Sequence, residues 1–249
     1  MHKEQSVEGS EKNDYPKASN GLVFGAIVTF IGSIALLMAF CSPYWIESYE
    51  ESRSAFLNMG IWQYCFKNFV YPNYQFPKKF TGCYGAYSHE YHEIREYLLP
   101  GWLISVQVLV TIGFLLAYAC LGVLSMIITR LPLKGVLQYE WILTRISFIL
   151  CAVSSLCMFV AVVIFGCCAY RRDWLMYPKF NVLSWSYSLA VVAFMILGLA
   201  AMILYREAKD AYELRGDSKN LVMQMEMQEP GYQPPRHHQS QSRSLHGYI

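Results

Sequence analysis

Four stretches of the chain hold no Asp, Glu, Lys, Arg or His: residues 18–46, 97–129, 146–170 and 180–205. Each exceeds the about 20 mostly apolar residues that a helix needs to cross a bilayer. A charged residue at the centre of such a helix costs about 2.5–3.5 kcal/mol on insertion scales, so clean gaps are what spanning helices require. The pattern predicts spans at about 21–42, 101–128, 146–169 and 183–205. Buried helices of a large soluble protein are the alternative, and four of them in one short chain argue against it. The first apolar run follows a mixed-charge stretch with Glu4, Glu8, Glu11 and Asp14. That is unlike the basic leader of a secretory signal, so this run is expected to be retained as a span.

The segments around the spans differ. Residues 1–20 form a polar tail, and 21–205 a four-span domain with outer loops at about 43–100 and 170–182. The middle loop, 129–145, carries a Leu-Pro-Leu-Lys run that marks a helix stop. In the tail, 206–249, a helix is expected over 206–215, with Arg206 and Asp210 at i,i+4 spacing. Past Gly216 the Pro230, Pro234 and Pro235 region and its Gln/Ser run read as disordered. The long loop alternates as strands do. Ile61, Tyr64, Phe66, Phe69, Val70 and Tyr71 are β-prone, and Pro72-Asn73 and Thr81-Gly82 offer turn chemistry. A small sheet lying on the outer ends of the helices is expected.

Composition supports the membrane reading: 55% of the 249 residues are hydrophobic and only 15% charged, against about 25% charged in soluble domains. Mean hydropathy is +0.25. A net charge of +2 gives no reason to propose nucleic acid as a partner. Lys and Arg are only weakly biased between the two sides. The tails and middle loop hold three, six and three, the outer loops five and three. Lys17, Arg130, Lys134, Arg145, Arg206 and Lys209 lie close to membrane ends, which favours cytoplasmic termini.

Six of the eight cysteines, Cys41, Cys120, Cys151, Cys157, Cys167 and Cys168, fall in or beside the spans, where cysteine acts as a small apolar residue. Cys65 and Cys83 are the only pair in the long loop. In an extracellular loop such a pair oxidises, and closing the ring stabilises by about 3 kcal/mol. Two unpaired surface thiols are the alternative. A disulfide there fixes the loop as outside.

No Ser/His/Asp constellation, phosphate loop or metal-ligand spacing supports an enzyme, a cofactor or a metal. Spans without ionisable residues also argue against transport. Gln107, one of the few strongly polar residues in a span, is expected to pack or hydrogen-bond between helices. Gly21-x-x-x-Gly25 permits close helix approach, within the bundle or between subunits. Trp45 and Trp62 fit interfacial anchors, Trp62 less well because it lies far from the spans.

Pro43-Tyr44-Trp45, then Gly60-Ile61-Trp62-Gln63-Tyr64-Cys65, then Cys83, resembles the W…G-L-W-x-x-C…C signature of the claudin and PMP22 superfamily. The resemblance extends over all four spans and the order of a long outer loop followed by a short one. Leu99-Pro100-Gly101-Trp102-Leu103 and Leu183-Ser184-Trp185-Ser186-Tyr187 look most like arthropod claudins of septate junctions. Two departures stand out. Ile61 replaces the signature leucine, and seventeen residues separate Cys65 from Cys83, more than in vertebrate claudins. Residues of the inserted part therefore take no role from the family.

The resemblance implies a left-handed four-helix bundle with a small disulfide-tied antiparallel extracellular sheet. It implies that Trp45, Gly60, Ile61, Trp62, Cys65 and Cys83 hold that sheet on the bundle. It suggests that Trp174, Met176, Tyr177, Pro178 and Phe180 of the short loop face a neighbouring cell. It also makes Gly247, Tyr248 and Ile249 a tail for a PDZ scaffold, since claudins commonly end in Tyr-Val. The implied function is a plasma-membrane junction protein, associating in cis and trans with claudin-like partners to form a paracellular barrier. The alternatives are a gamma-type accessory subunit of a channel or receptor and a PMP22-like membrane organiser. Six acidic and five basic residues in the long loop assign no ion selectivity.

Overall fold

The computed structural model describes residues 18–49, 54–71, 78–130, 133–172, 174–175 and 178–228. Four of its helices are long and apolar enough to cross a membrane: α1 (Asn20–Cys41), α3 (Gly101–Thr129), α4 (Leu133–Cys168) and α5 (Trp185–Gln228). Ser19 caps α1 by accepting a hydrogen bond from the Gly21 N–H, and the Ser42-Pro43 step ends it. Hydroxyls within α1 are satisfied locally: Thr29 donates to the Gly25 carbonyl and Ser33 to that of Thr29, both at 2.8 Å. The helices expose large apolar side chains such as Phe24, Phe30, Leu115, Leu156 and Met195. In water such a surface would be a liability, whereas in lipid it is the expected outer face.

Helix ends depart from the charge gaps. Arg130, with φ 55°, stops α3 in the left-handed region, but α4 starts at Leu133, so most of the expected middle loop is helix. The span within it is Tyr139–Cys168. Likewise α5 continues through Gly216 to Gln228, where disorder was expected. A glycine costs a helix only about 1 kcal/mol, and the Leu, Met, Gln and Glu that follow are good helix formers. Charge marks where the bilayer ends and says little of where a helix does. The chain divides into one unit ending at Ala211 and a second from Tyr212, whose described part is helix.

The bundle packs through small residues. A Cβ on Gly25 would meet Leu204 at 3.0 Å, and one on Gly32 would meet Ile196 and Leu197 at 3.1 Å. The Gly21-x-x-x-Gly25 pair therefore serves the α1–α5 contact within the chain. Ser154 of α4 donates to the Gly113 carbonyl of α3 at 2.7 Å.

Beyond one end of the bundle lies an antiparallel five-stranded sheet: β1 (Ile46–Ser48), β2 (Phe56–Met59), β3 (Gln63–Val70), β4 (Lys79–Gly85) and β5 (Asn181–Leu183). Its order is β4-β3-β2-β1-β5. The fifth strand comes from the short second outer loop and pairs with β1, Glu47 opposite Val182. Three residues are too few to show a strand pattern in the sequence. Thr81-Gly82, expected as a turn, lies inside β4. There the register shifts between Phe66 and Phe69, with Asn68 at φ 52° and Gly82 at φ 114°. The positive φ that suits a turn here forms a bulge. Pro72-Asn73 lies outside the described residues. The short helix α2 (Arg95–Leu98) follows a 3-10 turn, His89–Ile94, and leads into α3.

Candidate functional site

The residues joining sheet to bundle form a polar and aromatic cluster. Trp45 lies beyond Ser42, Pro43 and Tyr44 at the end of α1 and is fully buried. Its indole Nε1 donates to the Ala39 carbonyl at 2.7 Å, capping the end of α1. Its ring meets Phe165 of α4 edge-on at 4.9 Å and Tyr187 of α5 at 5.9 Å. Its backbone N–H donates to Met59 and its carbonyl accepts from Ser184. One residue thus ties α1, α4, α5 and β2. The interfacial-anchor reading of Trp45 is therefore set aside.

Gly60 follows β2 at a crossing with no room for a side chain. A Cβ there would lie 2.3 Å from the Ser42 carbonyl oxygen and 2.7 Å from the Pro43 Cα. Ile61 is buried, and its carbonyl accepts from Gln107 Nε2 at 2.7 Å. Gln107 Oε1 in turn accepts from the Tyr87 hydroxyl at 2.6 Å. Gln107 is 2% exposed and joins α3 to the sheet domain, where a bond between helices was expected. Trp62 is half-buried, its ring centred 5.4 Å from Phe40, which itself stacks on Phe114 of α3 at 4.7 Å.

Cys65 and Cys83 face each other across β3 and β4 and are joined by a disulfide, with Cα atoms 4.0 Å apart. Beneath them the Tyr64 hydroxyl donates to the Leu98 carbonyl at 2.5 Å, and Tyr91 donates to the Tyr64 carbonyl at 3.1 Å. Burial pushes both phenols well above their ordinary pKa, so both are neutral donors at physiological pH. Phe66, Phe69 and Phe80 complete this core. Tyr64 stood out in the sequence only as a strand-prone position within the signature run, and Tyr91 carried no signal there.

The short loop does not present Trp174. That residue is 2% exposed, its ring 4.6 Å from Trp102 and its Nε1 donating to the Leu98 carbonyl at 3.4 Å. Its ring packs on Trp102 of α3 and Phe165 of α4, since burying a large ring outweighs leaving it in water. Pro178 and Phe180 lie in a 3-10 turn, Pro178–Phe180, and Phe180 is 50% exposed. Met176 and Tyr177, and the tail residues Gly247, Tyr248 and Ile249, lie outside the described residues.

On one face of the sheet is an open hollow of about 950 Å³. Glu47, Ser48, Asn58, Lys67 and Asn68 line it, so among the described residues one carboxylate meets one ammonium and neither sign dominates. No group of three or more metal-ligating side chains occurs among the described residues. The arrangement is a sheet fastened to the bundle by buried contacts, with polar and aromatic surfaces.

Residues 30–205 match the family model of PMP-22/EMP/MP20/claudin tight-junction proteins. No curated protein sequence matches the chain. The matched region takes in the latter part of the first span, the second and third spans, the fourth as far as Tyr205, and the sheet with its disulfide, and the chain belongs to the PMP-22/EMP/MP20/claudin family.

Proposed function

We propose that the protein is a cell–cell junction component of the plasma membrane that associates in cis and trans with claudin-like partners and forms or organises a paracellular barrier. The observation that carries this reading is the sheet fastened to the bundle at Trp45, Gly60 and Gln107. A recognition surface must keep its shape while pulled from outside, and a receptor-packing subunit has less need of so stiff a projection. In this reading the termini are cytoplasmic and the sheet faces the intercellular space. Pro178 and Phe180, with Met176 and Tyr177, meet the opposite cell, while Trp174 holds the loop in place. Gly247, Tyr248 and Ile249 bind a PDZ scaffold by strand addition. The junction is of the septate type, as the Leu-Pro-Gly-Trp-Leu and Leu-Ser-Trp-Ser-Tyr runs suggest.

A tagged form expressed in cells without junctions, mixed with non-expressing neighbours, tests this reading. Enrichment only where two expressing cells touch is the expected result. Uniform surface signal together with constant co-purification of one channel would replace it with the accessory-subunit reading.

A further inference from the structure

At the end of the bundle away from the sheet, α4 and α5 part to leave a groove of about 450 Å³. Ala152, Ser155, Gly198 and Ala201 line it with side chains too short to fill the space. The Ser155 hydroxyl is spent on the Phe194 carbonyl at 2.9 Å, which leaves the lining apolar in effect. A Cβ on Gly198 would come 3.2 Å from Ser155 Oγ, so the helices close together at that point. Towards the other end come Phe148 and Tyr205, ring centroids 5.3 Å apart, and then Arg206. Arg206 is where the last charge-free stretch ends, and it is exposed. It makes no hydrogen bond or ion pair with a described residue, Asp210 one turn on included.

We propose that this groove holds an acyl chain of an anionic phospholipid, with the headgroup phosphate on the Arg206 guanidinium. From Gly198 to Arg206 the helix rises only about 12 Å, well short of the about 30 Å hydrocarbon core that a helix of another copy would follow. A flexible lipid chain fits a slot of that length. A guanidinium binds phosphate through paired hydrogen bonds, and basic pockets between spans select anionic headgroups. A zwitterionic lipid offers the same chain and phosphate but no net charge, whereas the serine carboxylate leaves phosphatidylserine with one net negative charge. The site lies away from the sheet and is independent of the junctional reading.

The test uses the full-length protein in phosphatidylcholine membranes with a trace of spin-labelled phosphatidylserine or spin-labelled phosphatidylcholine. Electron spin resonance then reads the fraction of each that the protein immobilises. One cation at the membrane surface corresponds to an association for phosphatidylserine about fivefold above phosphatidylcholine. Arg206→Gln should abolish that preference. Lys209→Gln, which removes the same charge outside the groove, should keep it. Ala152→Phe, which fills the groove and leaves the charge, should also reduce it. Equal association of both lipids with the wild-type protein would overturn the proposal. So would equal losses in Arg206→Gln and Lys209→Gln, which would mean diffuse surface charge, or a preference that survives Ala152→Phe in a folded protein. If Ala152→Phe fails to fold, the comparison of Arg206→Gln with Lys209→Gln decides alone.

Discussion

A methyl group on Gly60 would sit 2.3 Å from the Ser42 carbonyl oxygen, and all three atoms nearest it are backbone. Backbone at the end of α1 has nowhere to retreat, because Trp45 holds the Ala39 carbonyl just beneath. Gly60→Ala is therefore expected to cost about 3 kcal/mol through overpacking, read as a lower melting temperature in detergent. A wild-type melting temperature would mean that this crossing is looser than the geometry shows. Gln107→Leu tests the second tie. It keeps the volume but leaves the Ile61 carbonyl and the Tyr87 hydroxyl without their partner. The expected loss is about 1–3 kcal/mol, and a Tyr87→Phe, Gln107→Leu double variant should recover part of it. Additive losses in the double variant would contradict the shared network. The Gly60, Trp45 and Cys65 positions were legible in the sequence because their spacing forms a signature. Gln107 showed only as a polar residue in an apolar run, and nothing in that run told that its partner is a loop carbonyl 46 residues earlier.

The sheet is the element on which the pH and redox behaviour turns. Tyr64 and Tyr91 are buried, and desolvation holds their phenols neutral in the folded state above the ordinary value of 10.0. In the unfolded chain the same groups ionise near that value, so above it the unfolded state binds fewer protons than the folded one. Their contribution is complete below about pH 10 and falls as pH rises beyond it, by up to about 1.4 kcal/mol per pH unit for each tyrosine. Melting curves between pH 8 and 11 should be flat to about pH 10 and decline above it; stability unchanged at pH 11 would refute the burial of these phenols. The disulfide gives a second test of the same element. Cys65→Ser, Cys83→Ser and the double variant should each lose about 3 kcal/mol, equally, because each removes the same cross-link. The Cys65–Cys83 pair and the β3 run were readable, since one isolated pair and one alternating segment allow few arrangements. The β1–β5 pairing was not, because it joins three-residue segments far apart in the chain, and neither segment alternates long enough to be seen. Helix ends at Leu133 and Gln228 escaped for a different reason: the apolar gaps report the bilayer, and a helix propagates past it on propensity alone.

Which side the sheet occupies is a property of the whole molecule, and two independent signals bear on it. Lys17, Arg130, Lys134, Arg145, Arg206 and Lys209 lie close to membrane ends on the side of the tails, a weak bias that favours keeping those ends in the cytoplasm. A disulfide such as Cys65–Cys83 persists in an oxidising compartment, which favours the sheet on the opposite side. Four spans make the two requirements compatible, since both termini then share one face. Single substitutions make this testable, because the natural chain has no glycosylation sequon. Gln75→Thr turns Asn73 of the long loop into an acceptor, and Val222→Thr does the same for Asn220 of the tail. Expressed in cells, the first variant should gain an endoglycosidase-sensitive mass shift and the second should not. Glycosylation at Asn220 with none at Asn73 would reverse the orientation. It would put the disulfide in the reducing cytosol and remove the premise that the sheet meets a neighbouring cell. Glycosylation at Asn73 alone leaves the tail where a cytoplasmic scaffold can reach it, and deletion of Gly247, Tyr248 and Ile249 should then release that scaffold without altering surface delivery.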